Sequence, residues 1–417
     1  MKRLLPILAA LLCASPAVAE TLAITGVTAW TMTGRTSVAD ATIVIADGHI
    51  RSVVAKGAVP DGARVILGKG RVVTPALIDP ATQIGLGEVG GIDEERGSSV
   101  GKGPLGAAFD VSYALDPNAI TIQQARADGL AHGLLFPDGS AGAPFDGAGM
   151  ILRVGATGAS VERSRAAIFA TVGAGGAGAM GGSRAAAWLL LRNAIAEARL
   201  YRTAPRGTGP RDQLLNHLDA EALAPLLAGT VPLVIQTDRL SDIRQAMALA
   251  REERIRVVVF GGGEAWAAAA ELAAARIPVI LDPFDDLPVS YDKIGARRDN
   301  AALLARAGVP IAFSVSAQGI HRSWNAAPAM REGAGYAVAA GLPYVDALAA
   351  ITTGPARIMG LPPGTGTLAP GTAADLVLWD GDPLEPTSAP AMVLLDGREI
   401  SLVTRQTMLR DRYAPHR

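Results

Sequence analysis

Between residues 75 and 363, short apolar runs alternate with amphipathic stretches, and this alternation constrains the fold more than any other feature. Strand-like runs occur at Val72-Val73-Thr74, Gly133-Leu134-Leu135-Phe136, Pro232-Leu233-Val234-Ile235, Val257-Val258-Val259-Phe260, Pro278-Val279-Ile280-Leu281 and Pro310-Ile311-Ala312-Phe313. Helical patterns over residues 184–201, 240–251, 264–275 and 300–307 separate several of them. Strands that are apolar at nearly every position suit a parallel sheet covered on both faces. Alternating βα units place the chain in the α/β class. No glycine-rich dinucleotide loop follows the first strand, so the expected architecture is a TIM-like (β/α)8 barrel rather than a doubly wound sheet.

The two ends of the chain read differently. Ala41-Thr42-Ile43-Val44-Ile45 and His49-Ile50-Arg51-Ser52-Val53-Val54 flank a turn signal at Asp47-Gly48. Asp375-Leu376-Val377-Leu378-Trp379 and Ala391-Met392-Val393-Leu394-Leu395 precede a second turn at Asp396-Gly397. A small composite β-sandwich is expected from residues 20–74 and 364–417, with the barrel over 75–363. Residues 86–120 are rich in glycine and acidic side chains and form a long loop insertion, expected over the barrel mouth. Acidic groups there (Glu88, Asp93, Glu94, Glu95) and in Asp282-Pro283-Phe284-Asp285-Asp286 read as solvated loop faces, with metal-free acid–base chemistry as their alternative use.

Residues 1–19 have the build of a secretory signal: Lys2 and Arg3, an apolar run over 4–14, then Ala17-Val18-Ala19 at the cleavage site. The sole cysteine, Cys13, lies inside it. The mature chain is therefore expected without disulfides or thiolate metal ligands, in the periplasm or secreted. No later stretch is long and apolar enough to span a bilayer, so no membrane partner is expected after cleavage. With 38 basic residues against 39 acidic ones and no basic face, a nucleic-acid partner is excluded.

Two stretches carry a family resemblance. One is Val72-Val73-Thr74-Pro75-Ala76-Leu77-Ile78-Asp79. The other runs through Ala350-Ile351-Thr352-Thr353-Gly354-Pro355-Ala356 and on through Gly366-Thr367-Leu368-Ala369-Pro370-Gly371-Thr372-Ala373-Ala374-Asp375-Leu376. Over residues 25–411 the chain resembles the amidohydrolase superfamily, particularly its imidazolonepropionase-like branch. The resemblance implies hydrolysis of carbon–nitrogen bonds in amides, cyclic amides or dipeptides, with zinc or another divalent metal held at the strand ends. It also implies where the ligands would stand. The paired histidines of the first strand fall at Ala81 and Gln83. Another falls within Gln236-Thr237-Asp238, another within Gly261-Gly262-Gly263, and the final aspartate at Ser316. The metal-ligand motifs are thus substituted.

The five histidines agree with this, independently of the resemblance. His49 and His416 lie in the terminal regions, His132 precedes its strand at the barrel bottom, and His217 sits in a polar helical stretch. Only His321 is expected near the mouth, and zinc needs three or four donors. Metal lowers the pKa of bound water from ~15.7 to ~7, so its loss makes hydroxide scarcer by roughly eight orders of magnitude. General base catalysis returns only ~10²–10⁴. The expectation is an inactive or weak hydrolase that needs no cofactor. Gln83, Gln236, Asp238, Ser316, His321, Arg322 and Asn325 would line a pocket for a small polar or dipeptide-like ligand. The alternative is an active hydrolase with an unusual metal site or a metal-free acid–base site. Homo-oligomers, or pairing with an active homologue, are also expected.

Overall fold

Strand β1 (Leu22–Ala29) opens a sheet in which nearly every strand turns an apolar side inward. It pairs antiparallel with β2 (Val38–Ala46), which pairs with β3 (His49–Ala55). β4 (Arg64–Leu67) and β5 (Val72–Pro75) both run parallel to β1. The structure, a computed structural model, describes residues 21–88, 97–101, 103, 105–139, 144–203, 214–315 and 322–414. The export signal read in residues 1–19 lies outside them.

The second sheet is the barrel. Its strands are β6 (Leu77–Thr82), β7 (Leu130–Leu135), β8 (Gly147–Gly155), β9 (Gly158–Thr171), β10 (Leu233–Thr237), β11 (Val257–Gly261), β12 (Val279–Leu281) and β13 (Ile311–Phe313), adjacent in chain order. The ladder leaves β6 and β13 as its two ends, and the Ser314 hydroxyl, donating to Ala81 O at 2.6 Å, bridges them. The barrel is nearly closed.

The TIM-like expectation holds, with three corrections. Val72-Val73-Thr74 belongs to the small sheet as β5, and the first barrel strand starts at Leu77. One strand, β8, runs antiparallel to both neighbours, so a hairpin replaces one βα unit. Finally, β7 begins at Leu130, which puts His132 within the strand rather than before it. The anticipated helices form at Arg184–Thr203, Leu240–Glu253, Ala269–Ala275 and Asn300–Arg306.

After the barrel, the chain returns to the first sheet through β14 (Leu376–Trp379), β15 (Pro390–Leu395) and β16 (Arg398–Glu399), with β14 antiparallel to β5. One continuous eight-stranded sheet results, built from both ends of the sequence. Its two Asp-Gly turns pack against each other. A Cβ on Gly397 would lie 2.4 Å from Gly48 Cα, and both glycines have positive φ (71° and 74°). Only glycine satisfies both the contact and the backbone angle.

Within the barrel, Ile78, Leu134, Ile151, Val234, Val258 and Ile280 fill the axis. Near the C-terminal strand ends the filling is aromatic. Phe136 meets Phe260 edge-on at 5.5 Å and Phe169 at 6.0 Å, measured between ring centroids. Each buried ring contributes roughly 1.5–3 kcal/mol. The floor of the mouth is therefore apolar and closely packed.

Candidate functional site at the barrel mouth

The first strand delivers little that can act on a ligand. Ala81 is a buried methyl group. Gln83 is also buried: its backbone N–H donates to Arg322 O at 2.6 Å and its side-chain amide donates to Phe136 O at 3.3 Å. It ties three segments of the rim together.

Asp79, two residues before Ala81, is 2% exposed and accepts from Ala81 N at 3.0 Å. Burial pushes its pKa from the usual 3.8 up to about 7, against the pull of the Ala81 N–H and Ser314. The folded form therefore holds this proton more tightly than the unfolded form. Stability from this group is complete below about pH 4, falls as pH rises, and is lost above about pH 7. Asp79→Asn, which cannot ionise, is expected to be more stable than the wild type by about 1–4 kcal/mol near pH 8. The difference should shrink towards pH 4, as urea denaturation at several pH values would measure.

Polar groups gather on the opposite rim. At the end of β9, Thr171 Oγ1 donates to Asp146 Oδ2 at 2.8 Å and lies 3.4 Å from Oε1 of the exposed Gln236. Asp238 follows β10; its Oδ1 accepts from Gly263 N at 3.1 Å and its Oδ2 lies 3.5 Å from Lys293 Nζ. Lys293 also binds Asp285 closely. These three side chains are 17%, 18% and 13% exposed for Lys293, Asp238 and Asp285, so the lysine is held in a semi-buried clamp. Burial opposes its charge, but the two carboxylates outweigh that and hold it above the ordinary lysine value. Asp238 is raised, chiefly by burial, despite Lys293. Lys293 is raised first by the charge of Asp238 and then by its hydrogen bond to Asp285, whereas burial and the neighbouring Asp285 charge keep Asp238 raised.

A second cluster stands beside the clamp. Arg184 bridges Asp242 and Asp292. Asp242 also accepts from Trp188 Nε1 at 2.8 Å, and Asp292 from Ala174 N at 2.7 Å. Of the two clusters, the sequence singles out Asp238 as a pocket residue and reads Asp285 as part of a solvated run. The structure corrects the last of these: Asp285 is turned inward onto Lys293. Glu88 is likewise used, accepting from Ile120 N at 2.7 Å, while Asp93, Glu94 and Glu95 lie outside the described residues.

Arg322 pairs with Asp138 and lies over the Phe136 ring at 5.6 Å. Asn325 is exposed, with φ 55°, at the start of helix Ala326–Ala339 and makes no side-chain cap. Ser316 and His321 lie outside the described residues. The structure thus brings Gln83 and Arg322 to one side of the rim and Gln236 and Asp238 to another, and leaves Asn325 in solvent.

Among the described residues, these side chains do not assemble a donor set for a divalent cation. Asp238 is engaged by an ammonium group. A Cβ at Gly261, whose φ is 97°, would stand 2.6 Å from Asp238 Oδ1, so no ligand side chain fits there beside it. Among the described residues, no three His, Cys, Asp or Glu side chains converge as a metal-binding group. The described histidines are remote from the mouth. His49 and His217 are exposed, and His132 faces the barrel bottom, 3.2 Å from Glu162.

Comparison with known proteins bears on the fold and the family. Residues 240–406 match the model of the amidohydrolase family. The curated Amidohydrolase tasK of Hapsidospora irregularis is 47% identical over 57 residues, 14% of this chain; the match spans only 6% of that protein's length. An amidohydrolase from Thermotoga maritima MSB8 superposes with a TM-score of 0.78 at 22% identity, covering 91% of this chain and 99% of its own. Molinate hydrolase gives 0.55 at 17% identity, over 92% and 95% of the two chains. An adenosine deaminase from Xanthomonas campestris with bound zinc gives 0.52 at 16%, over 94% and 97%. At such identities the structural likeness shows the fold.

Proposed function

We propose that this chain, which carries an amidohydrolase-family domain over residues 240–406, binds a small polar or dipeptide-like ligand at its barrel mouth without hydrolysing it. Lys293 carries this reading. Its ammonium stands between Asp238 and Asp285 on the rim, so the protein's own cation occupies the place beside these carboxyl groups. Beneath the rim lie aromatic rings, and a buried charge there would have no partner. A lysine ammonium can hydrogen-bond a ligand carbonyl, but it cannot lower the pKa of a bound water as a divalent metal does. Binding with little turnover follows. The signal-like residues 1–19 further suggest that the protein works in the periplasm or outside the cell.

A second reading rests on Asp238. Its raised pKa and its place beside Lys293 would suit a metal-free general acid. One experiment separates the two. The purified mature protein is incubated with a panel of dipeptides and cyclic amides, with and without added zinc, and both calorimetric binding and product release are followed. The binding role requires saturable heat with product formation no faster than in buffer. Zinc-stimulated turnover contradicts both readings. Metal-independent turnover that Asp238→Asn abolishes establishes the second.

A further inference from the structure

At the barrel bottom the fold gathers arginines that the sequence keeps apart. A groove of about 600 Å³, within the size range of small-molecule sites, opens where β10, β11 and β12 begin. Arg251, Arg256, Arg276 and Arg357 stand around it at exposed positions, and among the described residues no aspartate or glutamate lines it. Every other residue along the groove is apolar, with Met247, Pro278 and Ile358 partly exposed.

Local partners do not use up this charge. Among the described residues, Arg276 has no hydrogen bond or ion pair. Arg357 donates to Thr353 O, one turn back in its own helix, at 3.2 Å, and Arg256 donates to Thr230 O at 2.5 Å. Arg251 lies 3.6 Å from Glu252, but that carboxylate also pairs with Arg192. Helices Leu240–Glu253, Ala269–Ala275 and Thr353–Met359 each place their last turn along the groove. A helix C-terminus carries about half a negative charge, so three of them offset only part of four guanidinium charges. A positive surplus remains.

Charge and apolar surface together set the ligand class. Guanidinium groups hold carboxylate and phosphate oxygens through paired N–H donors. An apolar lining favours a carbon body over a bare inorganic ion. We propose that this groove is a second ligand site, remote from the barrel mouth, for a small organic anion with two or more acidic groups on an apolar body. The acidic groups meet Arg276, Arg357 and their neighbours, and the body lies along Met247, Pro278 and Ile358. A neutral molecule of the same shape lacks the attraction that holds the anion there.

The test uses benzene-1,3,5-tricarboxylate as the anion and benzene-1,3,5-trimethanol as its neutral counterpart, titrated calorimetrically into the purified protein at physiological ionic strength. The wild type should show saturable, single-site binding of the tricarboxylate and none of the triol. Arg276→Gln and Arg357→Gln change exposed side chains and should fold normally. Each is expected to weaken tricarboxylate binding at least about threefold, and the double variant at least about tenfold. Arg254→Gln removes an exposed charge beside the groove but outside its lining, and should leave the affinity nearly unchanged. Absence of saturable tricarboxylate heat in the wild type, or comparable binding of the triol, overturns the proposal. So does unchanged affinity in the double variant, which would put the anion elsewhere, or an equal loss in Arg254→Gln, which would mark diffuse attraction.

Discussion

Arg184→Met lowers the unfolding free energy by about 3–5 kcal/mol. The magnitude comes from what is left behind. The Asp242 and Asp292 side chains are only 5% and 12% exposed, and Arg184 is the cation engaging both. Removing it strands two carboxylates in a poorly solvated place. Their remaining donors, Trp188 Nε1 and Ala174 N, soften the loss without cancelling the charge. Adding Asp242→Asn to the Arg184→Met background should recover part of the loss, because one of the two uncompensated charges disappears. Chemical denaturation of the two single variants and the double variant measures this coupling directly. A loss below about 1 kcal/mol would mean the bridge is exchanged for water at no cost.

Lys293→Met is the second large effect, at about 2–4 kcal/mol. Methionine keeps most of the apolar stem but leaves Asp238 and Asp285 facing each other without a cation. Burial already raises Asp238, and removing Lys293 takes away its main opposing influence, so Asp238 should hold its proton to higher pH still. A carboxylate raised on folding destabilises as pH rises, so the Lys293→Met penalty should grow from mildly acidic to neutral pH. Asp285→Asn in the same background should restore most of the stability. Thermal unfolding at several pH values reads both outcomes, and a penalty independent of Asp285 would point to packing rather than charge.

The fold was largely legible because burial on both faces leaves an unmistakable trace. Val257-Val258-Val259-Phe260 and Pro278-Val279-Ile280-Leu281 have few alternatives to a parallel barrel strand. The β8–β9 hairpin was not legible. β8 opens with Gly147-Ala148-Gly149, and the outer half of β9 is the polar run Glu162-Arg163-Ser164-Arg165, so neither has the apolar continuity of its neighbours. The clamp on the rim was harder still. Asp238 follows β10, whereas Asp285 and Lys293 both lie in the connection from β12 to helix Asn300–Arg306, and only the packing of the barrel strands brings the two connections together. Local patterning marks a charged loop residue as solvated unless its partner is known. The glycines after β11 were legible as a missing ligand, but not as the space that lets Asp238 approach Gly263.

The most direct test of the mouth is its zinc stoichiometry. The purified protein, incubated with excess zinc, desalted and measured by plasma mass spectrometry, should retain far less than one ion per chain, with no change on Asp238→Asn. Retention of one zinc per chain that Asp238→Asn abolishes would contradict the assignment of this position to Lys293.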